Sequence, residues 1–280
     1  MGKVVSVWGS PNSGKTTLSI KLAKELAKKN TVMVVFTDIL SPTIPALFKD
    51  ADNKKSIGNV LSAPILTENE VLINSISVKN NKKIAFLGYA RGENVFNYPP
   101  YQKERAVELI GVLRELVDYV IIDLQSNFVS DQLSTTALEI SDEVLRVSTP
   151  YVKDVMYYDS YLPLISENKF RARTHINILS KYMINDAVSE LSEIYDISER
   201  IPFIEELREQ SLTGDLLASL SMKEEKNLKY TLQNIINIID GNEALIEAEE
   251  DDYFEEKSIK DKIFGLIKGF RRKEDFNCRK

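Results

Sequence analysis

One cysteine, one histidine and eleven glycines are all that 280 residues contain of these types. The cysteine, Cys278, has no partner in the chain, which excludes an internal disulfide framework and a cysteine-based metal site. The histidine, His175, lies in the apolar run His175-Ile176-Asn177-Ile178-Leu179 and reads as a structural residue near a strand start rather than a catalyst. No stretch is apolar for long enough to cross a bilayer and none has the pattern of a signal peptide, so the reducing cytoplasm is the expected compartment. An excess of positive charge is also missing. With 36 Lys and Arg against 42 Asp and Glu, the net charge of −6 argues against a broad surface for neutralising nucleic-acid phosphates, so nucleic acid is not an expected partner. No internal repeat or low-complexity tract interrupts the chain.

What is present is an alternation of strand and helix patterns up to about residue 240. Lys3–Trp8, Thr31–Thr37, Lys83–Gly88, Asp118–Asp123, Glu143–Ser148 and Ile176–Leu179 read as short apolar strands, and Ile201–Phe203 as a short edge element. Between them fall helical patterns at Thr17–Lys29, Ile57–Leu61, Glu70–Ile76, Gln102–Leu116, Leu133–Ile140, Val152–Ile165, Ala187–Ile194, Glu205–Glu209 and Leu228–Ile239. Near-continuous apolar strands separated by helices imply an α/β fold with a mostly parallel central sheet flanked by helices. Composition then changes abruptly. The division expected is a body over 1–240, an acidic linker over 241–256 and a basic amphipathic tail over 257–280.

The run Gly9-Ser10-Pro11-Asn12-Ser13-Gly14-Lys15-Thr16-Thr17 fits the phosphate-binding pattern GxxxxGK[ST] without a mismatch. A strand precedes it and a helix comes after it, with Leu18, Leu22 and Leu26 on one face. That context is what the chemistry requires. Backbone N–H groups around Gly9, Asn12, Ser13, Gly14 and Thr17 can curl about phosphate oxygens, and the helix N-terminus adds its positive dipole end. Lys15 is placed to reach the β- and γ-phosphates and to serve catalysis, and Thr16 to hold Mg²⁺. Asp123, at the end of an apolar strand about a hundred residues on, has the placement of a second Mg²⁺ ligand. Asp38 ends the strand after the first helix and reads equally as a catalytic or Mg²⁺-coordinating carboxylate or as an N-cap for the next helical segment. Gln125 is either a water-orienting side chain or, more blandly, a polar loop residue. ATP with Mg²⁺ is the expected ligand pair.

The order of these pieces, with Asp118-Tyr119-Val120-Ile121-Ile122-Asp123, the segment from Ser141 to Pro150, and the later run from Ile201 to Gly214, resembles the ParA/MinD group of P-loop ATPases over residues 1–240. The resemblance implies that Gly14, Lys15, Thr16 and Thr17 bind phosphates and Mg²⁺, that Asp38 helps position attacking water, and that Asp123 binds Mg²⁺. It also implies that Pro202 and Phe203, within the stretch 202–205, lie near the adenine or ribose. Three departures stand out. Ser10 occupies the place of the lysine that in typical members crosses to the partner's phosphates in an ATP-bound dimer. Phe36 stands where the first of two paired aspartates is expected. Ser180-Lys181 replaces the Asn-Arg pair that reads the base. These departures resemble the divergent branch that includes the pilus-assembly localisation proteins TadZ and CpaE.

In the tail, Ile259, Ile263, Phe264, Ile267 and Phe270 recur at about four-residue steps among lysines and arginines. Such a segment suits the interface of an anionic membrane through residues 257–273, or packing back onto the body or the acidic linker. Together these features point to an ATP-binding, nucleotide-switched protein that recruits a partner of a localisation, secretion or pilus system. Hydrolysis is expected to be slow or absent, a homodimer is an expected assembly, and a peripheral position at the inner face of the membrane is an expected location. The alternatives are a P-loop small-molecule kinase, for which Lys169, Arg171 and Arg173 form the only candidate lid cluster, and a DNA-partitioning ATPase.

Overall fold

Short runs of β-branched and aromatic residues become eight strands of one sheet in the computed structural model, which describes residues 1–78, 81–183, 186 and 188–242. The strands are β1 (Lys3–Gly9), β2 (Val32–Phe36), β3 (Ile76–Val78), β4 (Asn81–Leu87), β5 (Tyr119–Asp123), β6 (Glu143–Ser148), β7 (Ile176–Tyr182) and β8 (Glu199–Pro202). Their spatial order is β3-β4-β2-β5-β1-β6-β7-β8. Every neighbouring pair is parallel except β3 and β4. The helices of the described residues are α1 (Lys15–Leu26), α2 (Ile44–Leu47), α3 (Ile57–Ser62), α4 (Glu68–Asn74) and α5 (Lys103–Leu116) in the first half. The second half holds α6 (Gln132–Ile140), α7 (Val152–Tyr161), α8 (Val188–Tyr195), α9 (Glu205–Thr213) and α10 (Met222–Ile239).

Strand side chains alternate between two faces, and both faces are covered. Val5 and Val7 of β1 join Leu18 and Leu22 of α1 and Leu232 and Ile235 of α10 in one core layer. Val4 and Trp8 join Leu109 and Leu113 of α5 and Leu133 and Ala137 of α6 in the other. This double coverage is why the strands carry so few polar residues. It also sends the connection after β1 to the β5 and β2 side of the sheet and the connection after β6 to the β7 side. The carboxyl ends of β1 and β6 are therefore where the chain diverges, the place where open parallel sheets form a ligand crevice.

The mostly parallel, helix-flanked sheet is the one expected from the sequence, with local differences: α10 begins six residues before the expected Leu228, α9 runs on to Thr213, α1 spans Lys15–Leu26 rather than Thr17–Lys29, and the short α2 is not among the expected helices. The helix expected over Glu70–Ile76 stops at Asn74, because Ser75 turns extended and Ile76 opens the short antiparallel strand β3. The helix expected over Val152–Ile165 ends at Tyr161 and tightens to a 3₁₀ turn at Leu162–Ile165, where Pro163 has no N–H to continue the ladder. The strand at Ile176–Leu179 runs on to Tyr182. Residues 243–280, which hold nearly all of the acidic linker and the whole basic tail, lie outside the described residues.

His175 is structural, as its apolar setting implied. The Trp8 indole donates to His175 Nδ1 at 3.3 Å, and His175 Nε2 bonds the Phe170 carbonyl at 2.9 Å, so the ring is neutral with its proton on Nε2. Burial pulls the imidazole pKa down to about 4. Between the ordinary value of about 6.5 and that lower one, the unfolded chain takes up a proton that the folded chain refuses. The contribution is therefore complete above pH 6.5 and is lost as pH falls from 6.5 toward 4. In urea unfolding, the wild type is expected to lose about 3 kcal/mol more over that interval than His175→Gln, which has nothing to titrate. Parallel stability-against-pH curves for the two proteins would contradict this.

Candidate nucleotide-binding site

β1 delivers Gly9 to the carboxyl edge of the sheet, and after five intervening residues α1 is under way from Lys15. The turn between them needs unusual backbone. Gly14 sits at φ 98° and Asn12 at φ 63°, both in the left-handed region. At Gly9 an added Cβ would lie 2.2 Å from the Val147 carbonyl oxygen of the neighbouring strand, so no side chain fits there. The glycines of the motif thus answer two different needs, a left-handed turn at Gly14 and a close strand approach at Gly9.

Lys15 folds back over its own loop. Its Nζ donates to the Gly9 carbonyl at 3.1 Å, the Ser10 carbonyl at 2.8 Å and the Ser126 hydroxyl at 2.8 Å. Burial lowers the pKa of this ammonium, while Asp123, Asp154 and Asp38 oppose the shift. Thr16 Oγ1 donates to Asp123 Oδ2 at 2.6 Å. The other Asp123 oxygen, Oδ1, is buried without a well-aligned hydrogen bond among the described residues, although the buried Ser19 hydroxyl also acts on this carboxylate. Burial pushes the Asp123 pKa up to about 6, with Lys15 and Thr16 working against the shift. A buried carboxylate beside a threonine hydroxyl is a donor set that suits Mg²⁺, which takes one or two carboxylates and completes its shell with phosphate and water. No group of three or more His, Cys, Asp or Glu able to cage a metal occurs among the described residues.

Asp38 caps the turn after β2 rather than a helix, since the N-cap of the next helix, α2, is Thr43. Its Oδ1 accepts from the backbone N–H groups of Leu40 at 2.9 Å and Ser41 at 3.1 Å, and its charge also acts on Lys15 and Asp123. Gln125 donates its backbone N–H to the Thr37 hydroxyl at 2.9 Å and its Nε2 to Ser130 Oγ at 3.2 Å, which leaves Oε1 buried and unpartnered among the described residues.

A cavity of about 800 Å³ opens beside the loop. Asn12, Gly14 and Thr17 form one wall and Pro202 and Phe203 another, so the structure brings the two expected nucleotide-contacting segments onto one cavity. Gly9, Ser13, Lys15 and Thr16 do not line it; Ser13 and Lys15 are buried behind the loop. Beyond the loop the walls turn apolar, with Leu18, Ile204, Leu207 and Leu228. Two further residues belong to this site and escaped the sequence. Ser126 holds Lys15, and nothing in its neighbourhood of the chain signals that. Asp154, buried on α7, accepts the Thr149 N–H, and burial pushes its pKa up to about 7. The candidate lid cluster is absent from the site: Lys169, Arg171 and Arg173 precede the amino end of β7, at the edge of the sheet opposite the loop. Arg171 there donates to the Ser141 carbonyl and Lys169 pairs with Glu167.

No protein-family model matches this chain, and no curated protein does. Solved structures do. The MinC:MinD cell division protein complex of Aquifex aeolicus superimposes with a TM-score of 0.69 at 16% identity, covering 88% of this chain and 99% of that one. The septum site-determining protein MinD of Pyrococcus horikoshii, complexed with Mg-ADP, gives 0.66 at 18% identity over 86% and 98%. A putative plasmid partition protein of Borrelia burgdorferi, bound to AMPPNP, gives 0.66 at 20% identity over 84% and 98%. The fold is that of the MinD and ParA ATPases. Within this MinD/ParA fold the loop, Thr16 and Asp123 meet at the carboxyl edge of three adjacent strands, β5, β1 and β6.

Asp123→Asn keeps the size of the side chain and removes its charge. Calorimetric titration with ATP, with and without EDTA, is expected to show Mg²⁺ strengthening binding to the wild type and not to the variant. An equal Mg²⁺ effect in both would take Asp123 out of the metal site.

Proposed function

We propose that this chain binds ATP with Mg²⁺ and works as a nucleotide-switched protein of the ParA/MinD type, recruiting a protein partner rather than turning over substrate rapidly. The observation that carries the reading is the complete cradle around Lys15 together with the Thr16–Asp123 pair, whose second carboxylate oxygen lacks a well-aligned hydrogen bond among the described residues. Gly14, Lys15, Thr16 and Thr17 bind the phosphates, and Thr16 and Asp123 hold the metal. The ion supplies charge neutralisation at the phosphates. Asn12 and Thr17, with Pro202 and Phe203 across the cavity, accommodate the nucleoside. Asp38, with its charge directed at the same groups, positions water where hydrolysis occurs.

Ser10 separates this chain from a fast, dimer-activated ATPase. Its hydroxyl reaches no further than the Pro11 carbonyl at 3.5 Å, and it brings no positive charge to a second copy's phosphates. Slow or absent hydrolysis is the consequence, as is membership of the divergent TadZ/CpaE-like branch, whose proteins localise pilus or secretion machinery. The solved relatives fit such a role in kind, since one is a complex of MinD with MinC. A homodimer, a peripheral seat at the inner face of the membrane through residues 257–273, and a cytoplasmic location complete the reading. The kinase alternative is weakened because its basic cluster lies at the opposite sheet edge.

Lys15→Ala is expected to lower ATP affinity roughly a hundredfold, since it removes a buried cation that would face phosphate. Wild-type turnover is expected well below the ~1 s⁻¹ at the slow end of ordinary enzymes. Unchanged binding in the variant, or wild-type turnover in the range of metabolic kinases, would overturn the switch reading.

A further inference from the structure

Two lysines, not one, converge on the phosphate loop. The second is Lys181, next to last in β7. The pairing of β7 with β8 slips between Ser180, opposite Ile201, and Tyr182, opposite Pro202, so Lys181 is the extra residue of a β-bulge. It adopts φ 59°, one of only four non-glycine residues with positive φ among the described residues. A long side chain in that conformation costs about 1 kcal/mol or more, and bulges beside sites commonly serve to re-aim a side chain.

This bulge aims Lys181 at the loop. Its Nζ donates to the Asn12 carbonyl at 2.5 Å, and its Cε would lie 3.4 Å from a Cβ placed on Gly14. Asn12 is itself left-handed, so two strained residues from segments 169 positions apart meet here. Lys181 lines the same cavity as Thr17. None of the ion pairs among the described residues includes Lys15 or Lys181. Both ammonium groups rest on neutral oxygens, and the carboxylate acting on both, Asp154, is itself engaged by the Thr149 N–H. Asp123, Asp154 and Asp38 act on Lys15 only through space, and Asp154 likewise on Lys181, so neither ammonium has a direct anionic partner and each can take a phosphate oxygen as one.

We infer that Lys181 is a second phosphate-binding lysine supplied by the same chain, and that it provides the cation that Ser10 does not. When a nucleoside triphosphate enters, Nζ exchanges the Asn12 carbonyl for a phosphate oxygen, gaining a charge-assisted bond in place of a neutral one. The nucleotide's charge is then balanced within one copy, so tight binding does not require a second. This inference rests on the ATP-binding reading above and adds to it. The corresponding residue pair in the resemblance reads the base, whereas here the geometry directs the lysine to the loop.

The test uses the full chain, with Mg-ATP and adenosine as separate probes, titrated at protein concentrations spanning a hundredfold while light scattering reports the assembly. Lys181→Asn is the main variant, because asparagine tolerates the left-handed conformation and relieves strain rather than adding it. Lys181→Arg retains the charge. The expected result is that Lys181→Asn weakens Mg-ATP binding roughly 10- to 100-fold and leaves adenosine binding as in the wild type, while Lys181→Arg keeps most of the affinity. Wild-type affinity is expected to be independent of protein concentration, whether the scattering reports one copy or two. Equal Mg-ATP affinity in Lys181→Asn and wild type overturns the inference, and so does an equal loss for ATP and adenosine, which returns Lys181 to the base. A wild type that binds no ATP and matches Lys15→Ala overturns the ATP-binding reading itself, and the inference with it.

Discussion

The register of β1 between β5 and β6 is the constraint on which the site depends. Val7 pairs with Asp123 on one side and Gly9 pairs with Val147 on the other. The first pairing sets Asp123 level with the start of the loop, close enough for the Thr16 hydroxyl to reach its carboxylate. The second presses the loop's first residue against a neighbouring backbone and leaves space only for glycine. A shift by one residue would turn Asp123 to the other face of the sheet and part it from Thr16. Both pairings are held by buried apolar side chains on two faces, so the precision of a polar site is supplied by packing far from it.

Charge is handled here by neutral groups as much as by ions. Lys15 is buried against two carbonyls and a hydroxyl, Lys181 rests on one carbonyl, and Asp123 is buried against a threonine hydroxyl with one oxygen lacking a well-aligned hydrogen bond among the described residues. Buried charges left without full ion pairs are costly in a finished core. Here they are gathered around one glycine-bearing loop, and on that setting the proposed nucleotide site rests. The depressed Lys15 pKa and the raised Asp123 pKa express the same condition from opposite signs, each caused first by burial. The Trp8–His175–Phe170 chain on the other side of β1 is the contrast: fully satisfied, neutral and structural.

Much of the body was legible in the chain because its signals are local. Apolar runs of five to seven residues between amphipathic helices specify a covered parallel sheet, and Glu143–Ser148 matches the observed strand at both ends. Where the pattern misled, a short-range competitor won. β3 has only three residues, too few for a periodic signal, and Pro163 tightened a helix whose apolar spacing continued. In the site, Lys15, Thr16 and Asp123 were identifiable from motif and strand end, and Pro202 and Phe203 do share a cavity with the loop. Ser126 and Asp154 were not identifiable, since a serine after a strand and an aspartate early in a helix are ordinary by themselves.

The sequence alone determined the phosphate loop, the α/β alternation and the absence of a crossing lysine at Ser10, because each is carried by residue type and spacing within a few positions. Only the tertiary structure decided the strand order, the hold of Ser126 on Lys15 and the reach of Lys181 to Asn12. Strand order depends on which edges pair, and the two-residue period of a strand says nothing about its neighbour. The Lys181 contact depends further on a bulge, one residue out of step between β7 and β8, that re-aims a side chain across 169 positions of sequence. A lysine that local pattern left as a departure becomes, through that bulge, part of the loop's charge.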